Sequence, residues 1–275
     1  MNNSSNNPGK KAPVVFIPHG GGPLPLLDDP GHLALTDFLR QLGRQLPRPD
    51  AIVVISAHWE TEPVRVTVDP EPEMIYDYHG FPDETYQLSY PAPGAPDLAG
   101  EIIEHLNHHG LSAQAQSGRG YDHGLYVPLM LMYPEADIPC VQVSLLNNLD
   151  PGQHIELGRA LAPLREKNIL FLGAGLSFHN MRLFYNDAAG ADNQIDAFHQ
   201  WLGHNLTEPN GNDRQRQHAL THWADAPGAR LCHPREEHLL PLHVCLGLAE
   251  GDGTAKVLFD DRVLGRRAMA FGWGF

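Results

Sequence analysis

The chain has 275 residues, 42% of them apolar and 19% charged, the balance of an ordinary globular protein able to bury one large core. A formal charge of −14, with no clustered Lys and Arg, argues against a nucleic-acid partner. Cys140, Cys232 and Cys245 are widely spread with no paired spacing, which points to buried thiols in a reducing, cytoplasmic compartment, and no window approaches the roughly 18 apolar residues of a membrane span.

The polar start MNNSSNNPGKKAP lacks an apolar h-region, so residues 1–12 are expected to form a disordered tail before a single domain at 13–275. APVVFIPHGGGP reads as a buried strand that hands over to His19 and a glycine-rich turn, and a helical period follows at 32–46. PDAIVVISAHWE is a second strand, ending at His58. EMIYDYHGFPDETYQLSYPAPG, residues 73–94, is long, aromatic and rich in turn residues. It is expected either to cover a pocket for a planar ring, with Tyr76, Tyr78, Phe81 and Tyr86 as lining, or to form an ordered surface loop with buried tyrosines.

Helical periods recur at 95–109 and 124–133, with Asp122 and His123 just before the second, which leads into a further strand. After a helical stretch at 152–167, NILFLGAGLSFHN reads as strand, small-residue turn and His179. Arg182 beyond it suits either a bidentate carboxylate contact or a surface salt bridge. Another helix is expected at 192–206. In HPREEHLLPLHVCLGLAEG, Pro234, Glu236 and Glu237 are expected to open a helix that carries His238 in its first turn and His243 in the core. AKVLFDDRV and RRAMAFGWGF resemble a closing pair of strands, with antiparallel pairing open to them. Apolar strands alternating with helices define an α/β chain with a mainly parallel sheet covered on both faces.

Seventeen histidines are the unusual count. His105, His108 and His109 end a helix, and His32, His154, His199, His204, His218 and His222 fall in helix-like, polar-faced contexts. His19, His58 and His179 share a different position, at the ends of strands. Parallel strands align their carboxyl ends along one edge, where ligand crevices form, so these three are expected to converge. Clustered neutral imidazoles bind a borderline divalent metal such as zinc or iron(II). The chain lacks H-E-x-x-H, a zinc-knuckle cysteine pattern and a G-x-S-x-G elbow. Its glycines at 20–22 lack the Lys-Ser/Thr of a phosphate loop, and GAGLS at 173–177 lacks the full dinucleotide fingerprint. Ligands scattered over strand ends suggest an open, catalytic metal site.

HGGGP, SAHW, YPAPG, YDHG, HNMR and EEHLLPL, in this order, resemble the class III extradiol ring-cleavage dioxygenases, and most of all their DOPA 4,5-dioxygenase branch, from about residue 13 onward. The resemblance implies a three-layer α/β/α sandwich around a mixed, mostly parallel central sheet. It also implies a non-haem metal enzyme that opens catechol rings with O2 to a semialdehyde. By motif, His19 and His58 match metal ligands and His238 a third, with Glu237 the alternative because better-known relatives complete their ligand set with glutamate. His179 matches a histidine that contacts substrate, as acid/base or as a further metal ligand when zinc fills the resting site. His123 matches a catalytic histidine just outside the ligands, which orients oxygen or substrate. HGGGP stands where many relatives have HGSP. Iron(II) is the implied active cofactor, and zinc(II) fits the same ligands in purified protein. The implied partners are a small catechol and O2, without membrane or nucleic acid, in a monomer or small homo-oligomer. A zinc hydrolase using the same cluster and a catalytically silent binding protein are the other readings these residues leave open.

Overall fold

In the computed structural model, which describes residues 11–186 and 190–275, the apolar runs become a sheet sandwiched between helices. Along the chain these are β1 (Val14–Pro18), α1 (Leu33–Gln45), β2 (Ala51–Thr61), β3 (Val64–Thr67), α2 (Pro96–His108), β4 (Ala113–Gln116), α3 (His123–Met132) and β5 (Cys140–Leu146). There follow α4 (Pro151–Leu161), β6 (Ile169–Gly175), α5 (Met181–Tyr185), α6 (Ala191–Thr207), α7 (Asp213–Thr221), α8 (Ala229–Cys232), α9 (Leu240–Leu248), β7 (Lys256–Val263) and β8 (Arg266–Trp273). The strand order is β4-β3-β5-β2-β6-β1-β8-β7. The central four strands run parallel. Antiparallel pairs flank them: β3 against β5 on one side, β8 against β1 and β7 against β8 on the other.

Strand periodicity divides the core in two. Val14, Phe16, Val53 and Ile55 point to the layer of α2, α4, α6 and α9, whereas Val15, Ile17, Ile52 and Val54 point to α1, α3 and the segment 73–94. The expected three-layer sandwich around a mixed, mostly parallel sheet is therefore the fold. Four expected helices agree with the structure within a residue at each end. The fifth, at 152–167, stops at Leu161 and tightens into a 3₁₀ turn over Ala162–Lys167, where Pro163 cannot continue the hydrogen-bond ladder. The last two strands pair antiparallel through a turn whose central residues, Leu264 and Gly265, both have positive φ, the geometry that matches strand twist.

Three differences bear on function. β2 does not stop at His58. It advances from Ile55 to Glu60 while β5 advances only from Val143 to Leu145, and this bulge lifts Ala57–Trp59 out of that ladder. Second, α9 begins at Leu240 with Pro241 in its first turn, so Pro234 opens no helix and His238 lies in the turn before it. Third, packing reaches into the expected N-terminal tail. Ala12 is buried, its N–H donating to the Arg165 carbonyl and its own carbonyl accepting from Arg165 Nε, while residues 1–10 lie outside the described residues. No described helix is long and apolar enough to cross a membrane.

His32, His154 and His199, expected on polar faces, are fully buried, whereas His204, His218 and His222 are exposed. The ring nitrogens explain the burial. His154 Nδ1 donates to the Asp150 carbonyl and its Nε2 accepts from Leu146 N–H; His199 Nδ1 donates to the Ile195 carbonyl and its Nε2 accepts from the Ser177 hydroxyl. Burial pushes His154 and His199 down to about 4 and His233 down to about 3. The unfolded chain takes up these protons near pH 6.5 and the folded chain does not. Their contribution to stability is therefore complete above about pH 6.5 and is lost as pH falls toward 4, by up to about 4 kcal/mol per pH unit for the three together. Urea titrations of the metal-free protein are expected to show a midpoint that drops steeply on acidification below about pH 6.5. A midpoint constant down to pH 5 contradicts this account.

Candidate metal centre

His19 leaves β1 directly, its N–H bonded to the Gly175 carbonyl at 3.1 Å and its Nδ1 to the Gly20 carbonyl at 2.9 Å, so Nε2 is left facing inward. His58 stands on the β2 bulge, and its N–H donates to Ser56 Oγ at 3.2 Å. The Ser56 hydroxyl in turn donates to Asp122 Oδ1 at 2.8 Å. Asp122 is fully buried and also caps α3, while its other oxygen accepts from Arg119 and Gln142. The Arg119 guanidinium lies 4.4 Å over the Trp59 ring, so the tryptophan after His58 helps to seat the cation that neutralises Asp122. Burial and the nearby Asp77 charge push the Asp122 carboxyl up, and Arg119 opposes them.

His123 is the first residue of α3. Its N–H and Nδ1 both donate to Asp77 Oδ1, at 3.0 and 2.8 Å, and its ring lies 3.9 Å from that of His58. Burial opposes ionisation of Asp77, but the bonds from His123 hold its carboxyl down to about 2. His179 follows β6, anchored by its N–H on the Cys232 carbonyl, and its ring stacks at 3.4 Å on that of His238. Glu237 Oε1 lies 3.2 Å from His179 Nδ1 and 3.0 Å from His238 Nδ1, so one carboxylate addresses the outer nitrogens of both rings. Arg235 approaches Glu237 Oε2 at 3.4 Å and also pairs with both oxygens of Glu60.

All five histidines singled out in the sequence thus meet at the carboxyl edge of the central strands. The Nε2 atoms of His19 and His58 face each other at 3.2 Å. The His238 ring lies 5.1 Å from that of His19 and 5.0 Å from that of His58. Donor atoms of His19, His58 and His123, and separately of His179, Glu237 and His238, lie within 4.8 Å of one another. Burial first, and then the neighbouring rings, push His19 and His238 well below the usual histidine value; His58 falls to about 3. His238 Nε2 is buried without a hydrogen-bond partner among the described residues. Lone pairs that face one another in a dry site, one of them unpartnered, fit a divalent cation.

A cavity of about 350 Å³ opens over this cluster, walled by Gly20–Gly22, Leu176, Met181, Phe184, Leu264 and, from the 73–94 segment, Tyr78 and Phe81. Tyr76 and Tyr86 do not line it. They pack behind, with Tyr86 5.4 Å from Tyr78 and the Tyr76 hydroxyl bonded to the Leu88 carbonyl. A second cavity of about 450 Å³ shares His179 and Met181 with the first and is lined by Arg182, Arg235 and Glu237. Arg182 is exposed, and its guanidinium makes no ion pair among the described residues. Sequence reasoning missed Asp77, Ser56, Arg119 and Gln142. Only the Asp122–His123 pair carried a local signal, a capping residue at a helix start.

Residues 14–271 match the family described as the catalytic LigB subunit of aromatic ring-opening dioxygenase, and the chain belongs to that family. It is 40% identical to the dioxygenase tasH of Hapsidospora irregularis, over 96% of this chain and 86% of that protein. It is also 40% identical to the 4,5-DOPA dioxygenase extradiol of Beta vulgaris, over 89% and 90%, and 35% identical to that of Escherichia coli, over 94% and 93%. The crystal structure of an uncharacterized Escherichia coli protein superposes with a TM-score of 0.77 at 31% identity, covering 96% of this chain and all of that one. The likeness read from six short motifs therefore extends over the whole catalytic fold, and the protein is a ring-opening dioxygenase by family.

The turn that carries His238 depends on a missing side chain. A Cβ at Gly175 would overlap the His238 carbonyl, which accepts from Leu176 N–H at 2.9 Å. Gly175→Ala is expected to cost about 1–3 kcal/mol and to displace His238. Zinc titration of the folded variant should show at least tenfold weaker binding. Unchanged zinc affinity in a folded Gly175→Ala protein argues against His238 as a ligand.

Proposed function

We propose that this protein is an extradiol dioxygenase that opens a catechol ring beside its two hydroxyls, placing both atoms of O2 in a ring-opened semialdehyde. The observation that carries this reading is the inward meeting of His19, His58 and His238 nitrogens beneath an aromatic-walled cavity, in a chain of this family. His19, His58 and His238 would hold iron(II), and Glu237 serves better as the acceptor for His179 and His238 than as the third ligand, because one of its oxygens already faces both Nδ1 atoms. With zinc in the same place, His179, which lines the same cavity and stacks on His238, is the candidate for an additional ligand. When bound, iron(II) supplies the redox chemistry that O2 requires and that zinc(II) lacks.

The protein's own groups perform the remaining work. His179, its Nδ1 turned to Glu237, has Nε2 free to take a hydroxyl proton from the catechol. His123, its Nδ1 committed to Asp77, offers Nε2 to the substrate or to O2. Tyr78, Phe81, Phe184 and Leu264 flank the planar ring and keep water out. Arg182, beside His179 in the adjoining cavity, is placed to meet a carboxylate on the catechol's side chain. The three buried free cysteines support a cytoplasmic location. Neither a hydrolase nor a silent binding protein is favoured by any feature of the site.

Iron(II)-loaded protein mixed with a panel of catechols is expected to consume O2 and yield a yellow product, and His179→Gln to lower kcat by about a hundredfold or more. No uptake with any catechol contradicts the proposal, and turnover without O2 supports a hydrolase instead. Arg182→Gln is expected to raise KM about tenfold for a carboxylate-bearing catechol while leaving 4-methylcatechol unaffected. An equal change for both substrates removes Arg182 from recognition.

A further inference from the structure

The segment 73–94 walls one side of the cavity, yet most of its hydrogen bonds hold it to itself or to residues away from the histidines. Ile75 N–H bonds the Tyr121 carbonyl and Tyr121 N–H bonds the Glu73 carbonyl, at 2.8 and 2.7 Å. The Tyr76 hydroxyl bonds the Leu88 carbonyl and the Tyr78 hydroxyl the Thr85 carbonyl, each at 2.7 Å. One side chain of the segment reaches the metal centre through hydrogen bonds. Asp77 accepts both the N–H and the Nδ1–H of His123 on Oδ1, and its Oδ2 stands 3.8 Å from His58 Nδ1.

A carboxylate can only accept. It therefore fixes the proton of His123 on Nδ1 and leaves Nε2 as a lone pair on the pocket side. His58, whose Nε2 faces His19, has its Nδ1 3.8 Å from Asp77 Oδ2, beyond hydrogen-bond reach, so the carboxylate acts on that ring through its charge and through the packed His123 ring. Two rings packed at 3.9 Å thus face one carboxylate, which is bonded to His123 alone and belongs to the strip of chain that walls the cavity.

We propose that Asp77 is a positioning residue that couples closure of the pocket by segment 73–94 to the orientation of His123 and His58. Without it, His123 is free to exchange tautomers and to turn its ring, and the segment loses its attachment to the centre. Pocket shape and imidazole alignment then fail together, although Asp77 touches neither substrate nor metal. The consequence for turnover rests on the ring-opening activity proposed above; the tautomer and the attachment of the segment do not.

The test uses protein with ¹⁵N-labelled histidine, the His123 signals being assigned by their loss in His123→Phe. The unsubstituted protein is expected to show His123 as the Nδ1–H tautomer. Asp77→Ala should give mixed tautomers, at least tenfold faster amide exchange over residues 75–90 and at least tenfold weaker zinc binding. Asp77→Asn, whose Oδ1 still accepts, should restore the tautomer and the slow exchange. An Nε2–H tautomer in the unsubstituted protein overturns the proposal, as does an Asp77→Ala protein with unchanged tautomer and exchange. Should Asp77→Ala fail to fold, the unsubstituted spectrum decides, and loss of the tautomer in folded Asp77→Asn counts against the proposal. If O2 uptake is absent while the tautomer and exchange results hold, the ring-opening reading fails and the positioning role stands.

Discussion

Imidazole lone pairs crowded into a dry pocket are the constraint on which this structure turns. His19 and His58 bring Nε2 atoms within 3.2 Å of each other, and His238 adds a buried nitrogen with no partner among the described residues. Such a cluster is unfavourable on its own, because imidazole nitrogens are crowded against one another and that of His238 has given up water and found no donor. Burial and the neighbouring rings keep the imidazoles from relieving the strain by taking protons, and a divalent cation relieves it directly. Stability without metal is thus traded for a site that is ready to bind one.

The fold supplies the geometry and three carboxylates supply the alignment. Parallel β1, β2 and β6 end at one edge, and the bulge in β2 turns His58 toward that edge instead of along the ladder. Asp77 addresses His123 and faces His58, Glu237 addresses His179 and His238, and Asp122 ties the His58 backbone to the start of α3 through Ser56. In a low-dielectric site each such bond is stronger than in water, and each would be costly to leave half made. Asp122 shows the balance: it is fully buried, and it is tolerated because Arg119, Gln142, Ser56 and the α3 backbone all donate to it.

Much of this was legible because strand-end histidines leave a local trace. The apolar runs before His19 and His179 and around His58 are unmistakable, and their alternation with helical periods pointed to a mainly parallel sheet covered on both faces. The short strands β3 and β4 were not visible: VRVT and AQAQ span four residues each, and they exist because β5 offers β3 a partner and β3 in turn offers one to β4 at the sheet edge. Pro234 suggested a helix start that belongs to Pro241, since a proline marks a break as readily as a beginning. The polarity of imidazole hid the burial of His154 and His199, whose partners, backbone groups and the Ser177 hydroxyl, no pattern announces. Asp77 left no trace at all, because the ring it holds lies 46 residues away and meets it only in the folded chain.

The most direct measurement is anomalous diffraction at the zinc or iron edge from crystals of metal-loaded protein. The account predicts one ion, at bonding distance from Nε2 of His19, His58 and His238, with Glu237 remaining on the outer nitrogens of His179 and His238. An ion bound elsewhere, or one that leaves His19 or His58 uncoordinated, contradicts it.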